Sequence, residues 1–203
     1  MEKYIENTLR YYDENFKVYS EEWSNNFTSN FNFENPNIFI SYLRDGAYVL
    51  DLGCGHGRDT MYFIEKGYKV KAIDGSLEMC RLASKNTGIN VEQINFLDMD
   101  YNDLFDGVFA SASLLHLNNK DLIIVLKKIS KALKTGGILM ASFKYGDNER
   151  LKEGRYFNDM TEVKFSKLLE SVSEFVLERV LTNDGFKNHK SFITFVLKKV
   201  RLY

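Results

Sequence analysis

Gly53, Gly55 and Gly57 stand at alternate positions directly after the apolar run Val49-Leu50-Asp51-Leu52, and Arg58-Asp59 opens a polar helix start behind them. Glycine accepts positive φ and has no Cβ, so a ligand can lie directly on such a backbone. The helix start adds unpaired N–H groups suited to an anion. Strand, glycine turn and helix together read as the opening of a nucleotide-binding α/β unit. The spacing narrows the ligand. A dinucleotide site wants G-x-G-x-x-G, so that a pyrophosphate reaches the helix. Here the run is G-x-G-x-G, and Arg58 stands where the last glycine belongs. A second acid, Asp74, closes Lys69-Val70-Lys71-Ala72-Ile73-Asp74, about the 20 residues downstream at which a ribose-binding acid is expected. Further on, the imidazole of His116 has an ordinary pKa near 6.5, which suits a general base. Lys144 and Arg155 lie in a basic and aromatic segment and can hold a carboxylate, a phosphate or another anion.

These residues need a scaffold. Ile5, Leu9, Tyr12, Phe16, Tyr19 and Trp23 step by four and three, which is one apolar stripe on a helix over residues 2–24. Residues 24–37, rich in Asn, Ser and Phe and holding Pro36, read as a loop before a short helix from Ile38 to Leu43. A helix from Asp59 to Lys66 ends at Gly67, and Ser76 caps another that runs to Asn86, with Gly88 beyond. Val91–Leu97 and Gly107–Ser111 read as the third and fourth strands, and Gly137–Phe143 as the fifth. Leu122, Leu126, Ile129 and Leu133 mark a helix from Asn119 to Lys134. Lys144–Met160 reads as a long irregular loop, and Thr161 caps a helix to Val172. Phe175–Leu181 and Ser191–Lys199 read as closing strands joined through Asn183-Asp184-Gly185. Alternating strands and helices imply a parallel sheet covered on both faces. The closing pair implies an antiparallel edge, since its connection is too short for a crossover. Ligands of open α/β sheets bind beyond the carboxyl ends of the strands. That rule gathers Gly53–Asp59, Asp74, Asp98, Ser111 and the segment after Phe143 around one crevice.

Asp51-Leu52-Gly53-Cys54-Gly55-His56-Gly57 with Asp74 resembles motifs I and II of the class I S-adenosylmethionine (SAM) methyltransferases. Phe105-Asp106-Gly107-Val108-Phe109-Ala110-Ser111 resembles their motif IV, and Leu133-Lys134-Thr135-Gly136-Gly137-Ile138-Leu139 the turn before their fifth strand. These matches fall in order over residues 45–145. The resemblance implies a Rossmann-like α/β fold with seven strands in order 3-2-1-4-5-7-6, strand 7 antiparallel and helices on both faces. It implies one domain: a helical cap over residues 1–45, a SAM-binding half over 46–145, and a substrate loop with closing strands over 146–203. SAM is the implied cofactor and S-adenosylhomocysteine (SAH) the product. The implied cofactor-binding residues are Asp51, Gly53, Cys54, Gly55, Arg58, Asp74, Gly75, Ser76, Asp98, Met99 and Ser111. Among them Asp74 would bond the ribose hydroxyls, Asp98 with Met99 would border the adenine, and Arg58 could pair with the methionyl carboxylate. His116 follows strand four, where acceptor and methyl group should meet, as a catalytic base or a wall residue. Tyr12 and Tyr19 on the cap, with His116, Lys144 and Arg155, form the implied substrate-binding set. Ser142-Phe143-Lys144-Tyr145-Gly146 and Gly154-Arg155-Tyr156-Phe157 are similar to segments of small bacterial methyltransferases of poorly defined substrate. The implied activity is O- or N-methylation of a small molecule, with no metal required.

Composition sets the limits around this reading. The chain has 203 residues, 44% hydrophobic and 27% charged, which is ordinary for a soluble globular protein. A net charge of −1 offers no overall basic excess for nucleic acid. Two cysteines, Cys54 and Cys80, make neither a disulfide framework nor a zinc spacing. No signal-peptide pattern opens the chain and no apolar run approaches membrane-spanning length, so the expected location is cytoplasmic with no membrane partner. Three rivals stand beside a small-molecule methyltransferase. An RNA or DNA methyltransferase is disfavoured: Ser111-Ala112-Ser113-Leu114 replaces the Asn/Asp-Pro-Pro-aromatic motif, and Pro36 precedes Asn37 rather than the Cys of a cytosine C5 enzyme. An NAD-dependent oxidoreductase is disfavoured by Arg58. A SAM-binding protein without catalysis is the third. Neither the acceptor nor the oligomeric state is legible, because substrates do not follow from fold.

Overall fold

Val49 and Leu50 are adjacent and both wholly buried, because a strand turns successive side chains to opposite faces and here each face is roofed. Leu50 packs with Val108, Leu126, Ile129 and Leu139 on one side. Val49 packs with Phe39, Phe63, Phe109 and Met140 on the other. The computed structural model describes residues 2–26, 34–184 and 190–201. Its central sheet holds β1 (Tyr48–Leu52), β2 (Lys69–Asp74), β3 (Glu92–Gln93), β4 (Phe105–Ala110), β5 (Leu133–Lys144), β8 (Phe175–Asp184) and β9 (Lys190–Lys199), in order β3-β2-β1-β4-β5-β9-β8. Strands β1 to β5 are parallel, and β9 runs antiparallel to both β5 and β8. Setting aside the small ribbon β6 (Glu149–Lys152) and β7 (Arg155–Asn158), this is the expected order 3-2-1-4-5-7-6 with an antiparallel strand 7.

The helices are α1 (Lys3–Asn26), α2 (Glu34–Ser41), α3 (Arg58–Glu65), α4 (Leu77–Thr87), α5 (Asn119–Ala132) and α6 (Glu162–Leu169). Three of them start where a side chain accepts from a free backbone N–H. Ser76 accepts from Met79 (3.1 Å), Asn118 from Asp121 (2.8 Å) and Thr161 from Lys164 (3.2 Å). Among the described residues no helix is long and apolar enough to cross a membrane.

Three local expectations change. Helix α2 begins at Glu34, so Pro36 lies inside a helix start, where its missing N–H costs nothing. The expected strand Val91–Leu97 shrinks to Glu92–Gln93, because the Asn95 carboxamide accepts from Leu97 N (2.9 Å) and bends Phe96–Asp98 into a 3₁₀ turn. The expected irregular loop Lys144–Met160 contains the β6–β7 hairpin, paired from Glu149↔Asn158 to Lys152↔Arg155. Its two-residue turn puts Glu153 at φ 53° and Gly154 at φ 81°, the backbone that matches the twist of a tight hairpin. The side chain of Trp23 and residue Gly185, both part of the sequence reading, lie outside the described residues.

Candidate active site

The carboxyl ends of β1, β2, β4 and β5 open onto a cavity of about 430 Å³. Gly53–Gly55, Asp74–Gly75, Ser111–Ser113 and Ser142 line its floor. Helix α1 lines the opposite side with Ile5, Thr8, Leu9, Tyr12 and Tyr19. This helix is stitched to the rest of the chain along one face. Tyr4 donates to Asp121, Thr8 accepts from Tyr156 N (3.1 Å), and Asp13 accepts from Ser76 Oγ (2.6 Å) and Glu78 N (3.1 Å).

At the glycine turn, Gly55 has φ 56° and nothing within 4 Å of where a Cβ would stand. Its backbone is therefore open to a ligand. Asp74 fixes the turn: Oδ2 accepts from Gly55 N and Oδ1 from Ser76 N, both at 2.9 Å. A carboxylate has about four acceptor sites, so Asp74 keeps capacity for further donors. Burial pushes its carboxyl above the usual range, and the backbone N–H bonds oppose that rise. Behind the turn, Arg58 grips Asp59 with two bonds (2.9 and 2.7 Å). Asp51 is buried and accepts from Thr60 Oγ1 (2.5 Å). Burial, then the neighbouring Asp59 charge, raise Asp51 to about 7. Burial also pushes the Cys54 thiol well up, which leaves it a poor nucleophile.

At the far end, His116 Nδ1 lies 2.7 Å from the Tyr156 carbonyl and Nε2 lies 2.8 Å from the Tyr12 hydroxyl. A carbonyl only accepts, so Nδ1 carries the proton and Nε2 accepts from Tyr12. Burial holds the imidazole down to about 4, so it is neutral near pH 7. Beside it Ala112 has φ 51°, rare for a residue with a Cβ. Ser142 Oγ accepts from Ala112 N at 2.8 Å and holds that strained bend in place.

Residues 49–137 match the sequence family described as a methyltransferase domain. An uncharacterized methyltransferase of Staphylococcus carnosus is 24% identical over 191 residues, 84% of this chain and 92% of the relative. Among solved structures, the fold is similar to that of 1,6-didemethyltoxoflavin-N1-methyltransferase of Burkholderia thailandensis with bound 1,6-didemethyltoxoflavin and SAH. That likeness has a TM-score of 0.78 at 23% identity, over 98% of this chain and 89% of that one. A TehB-like SAM-dependent methyltransferase of Corynebacterium glutamicum gives a TM-score of 0.74 at 20% identity, over 92% and 98%. The methyltransferase domain over residues 49–137 and these likenesses together support a class I SAM-dependent methyltransferase. SAM is the cofactor of this methyltransferase, and the turn fits it: an exposed glycine backbone lies beside an acid with free acceptor capacity.

The methyltransferase brings most of the sequence-selected residues to one cavity. Gly53, Cys54, Gly55, Arg58, Asp74, Gly75, Ser111, Tyr12, Tyr19 and His116 line it. Asp51, Ser76, Asp98, Met99, Lys144 and Arg155 are not on its wall. Asp51 and Ser76 brace the turn from behind. Asp98 is exposed and Met99 buried in the core, while Asn95 and Phe96 of the same segment face the cavity. The Lys144 ammonium sits 4.2 Å above the Phe192 ring. Arg155 lies 4.1 Å over the Tyr11 ring and pairs with Glu153 (2.7 Å). Sequence reasoning missed Asn35, Asn95, Phe96, Ser142 and Phe192 as wall residues. Asn95 and Phe96, just past β3, and Ser142, near the end of β5, are the ones that the carboxyl-end rule could have found.

Proposed function

We propose that this methyltransferase transfers the methyl group of SAM to an oxygen or nitrogen of a small, planar molecule. The observation that carries the reading is the cavity itself: about 430 Å³, within the range of small-ligand sites, with α1 laid across it and aromatic residues on its far wall. Bound SAM supplies a methyl group already activated on a sulfonium. The chain must then hold the acceptor in line and exclude water. In this reading the backbone of Gly53–Gly55 carries the cofactor, Asp74 accepts from the ribose hydroxyls, and Gly75, Asn95 and Phe96 flank the base. Tyr12, Tyr19, His116 and Phe192 enclose the acceptor. Lys144 and Arg155 stand behind that wall, which favours an uncharged acceptor held by ring contacts over one with an anionic handle. Residues 1–45 act as the cap, 46–145 as the cofactor half, and 146–203 as the ribbon and closing strands of one unit. The 1,6-didemethyltoxoflavin bound by the Burkholderia enzyme is a small-molecule precedent on a similar fold.

The test is to incubate the protein with methyl-labelled SAM and three separate pools: filtered small metabolites, RNA and protein. Label is expected to stay in the filterable fraction. Label that precipitates with RNA or protein overturns the small-molecule assignment.

A further inference from the structure

We propose that the Tyr12 hydroxyl, rather than His116, meets the acceptor, and that His116 draws the acceptor's proton through it. This rests on the small-acceptor reading above and specifies its chemistry. The Tyr156 carbonyl ties up Nδ1–H and Tyr12 occupies the lone pair of Nε2, so His116 has no free nitrogen to offer an acceptor directly. Tyr12 lines the cavity, and its Oη, which also interacts with the Arg155 side chain, is the polar atom of the pair that an acceptor can reach. The two rings meet edge to face with centroids 5.6 Å apart, and Phe157 backs the imidazole at 4.9 Å, so neither ring is free to swing. Arg155 is the positioning residue of the pair. Its guanidinium lies 5.9 Å from the Tyr12 ring centroid and 5.3 Å from that of Phe157. A fixed cation there steadies negative charge that builds on the phenol oxygen in transit.

The step balances. The acceptor's lone pair forms the bond to the methyl carbon and the carbon–sulfur pair returns to sulfur. The acceptor's O–H or N–H bond breaks toward Tyr12 Oη, and the phenol's own proton passes to Nε2. The imidazolium then returns its proton to water. A weak base suffices, because a methylated O–H or N–H group is strongly acidic until it sheds that proton. The acceptor class follows: an uncharged arene whose nucleophilic atom bears both a lone pair and a proton, a phenol or an aromatic amine.

The full chain is offered SAM with two acceptor sets, phenol and aniline derivatives on one side and pyridine and quinoline on the other, and SAH formation is followed. Turnover is expected only with the proton-bearing set. Tyr12→Phe and His116→Asn should each lower kcat about 10²-fold or more while acceptor KM and SAH affinity hold. The double variant should be no slower than the worse single one, since both lie on one route. Arg155→Met should lower kcat with KM unchanged, and Arg155→Lys should restore part of it. If Tyr12→Phe does not fold, the wild-type solvent isotope effect decides, and its absence overturns the relay. Turnover of the proton-free set that survives Tyr12→Phe also overturns the relay and leaves the small-acceptor reading standing. If neither set is turned over, the small-acceptor reading falls and takes the relay with it.

Discussion

Asp74 does two jobs with one carboxylate: it pins the glycine turn through Gly55 N and Ser76 N and still faces the cavity. Hydrogen bonds to a charged acceptor are worth about 1.5–3 kcal/mol each, so Asp74→Ala should weaken SAH binding at least about tenfold. Calorimetry on the folded variant checks this, and unchanged affinity removes the ribose role. His116 makes a prediction of a different kind. Its pKa is about 4 in the folded chain against about 6.5 unfolded. The unfolded chain therefore binds the extra proton first as pH falls. The neutral imidazole's share of stability is whole above pH 6.5 and drains away toward pH 4. His56, also held near 4, acts in the same direction, whereas Asp51, raised to about 7, acts in the opposite one. The clean measurement is thus a difference. The stability advantage of wild type over His116→Gln should shrink by about 2–3 kcal/mol between pH 6.5 and 4. Urea titrations at both pH values that give the same difference would show that His116 titrates normally in the fold.

At the scale of elements, α1 is held by polar stitches as much as by apolar burial. Of its stripe, Ile5 is buried and Leu9 lies where a Cβ on Gly75 would reach within 2.6 Å. Tyr4, Thr8, Tyr12 and Asp13 supply the rest of the attachment. Deleting residues 1–24 should abolish SAH formation yet leave the far-ultraviolet signature of the sheet, because the strands do not pass through α1. Full activity in the truncated protein would remove the helix from the site. The helix was legible because a stripe stepping by four and three needs no tertiary knowledge. The β6–β7 hairpin was not, for a physical reason. Strand β6 is mostly exposed and polar, and β7 sets Tyr156 and Phe157 side by side with a buried Asn158 behind them, so neither shows the apolar alternation by which strands are read. The turn Glu153-Gly154 puts a glutamate, not Asn or Asp, at a positive φ. Strand β3 failed in the opposite sense: Ile94 and Leu97 look like its continuation, and one carboxamide at Asn95 ends it.

For the molecule as a whole, the parallel sheet was readable because burial on both faces leaves runs of apolar residues separated by capped helices. The cofactor end was readable because one continuous stretch, Asp51–Asp59, carries most of it. The proposed acceptor end was not, because Tyr12, Tyr19, His116 and Phe192, which line the cavity, are brought together only by the finished fold. The core that does this assembling has a testable centre. Phe195 of β9 stacks on Phe165 of α6 at 3.9 Å, both fully buried, and joins the closing strands to the helix layer. Phe195→Ala should cost about 3–5 kcal/mol in urea unfolding. A loss below about 1 kcal/mol would mean that the closing strands contribute little to the common core. The hairpin reaches this core only through β7, whose Phe157 packs into it. Residues 149–158 form a sheet of their own and share no ladder with the seven strands. A change in ribbon length therefore imposes no register shift on any strand beneath it. A chimaera carrying a foreign ribbon between Asp147 and Met160 should keep its sheet and its grip on SAH while turnover falls, because this ribbon supplies the Tyr156 carbonyl, Arg155 and Phe157 that hold His116 and Tyr12.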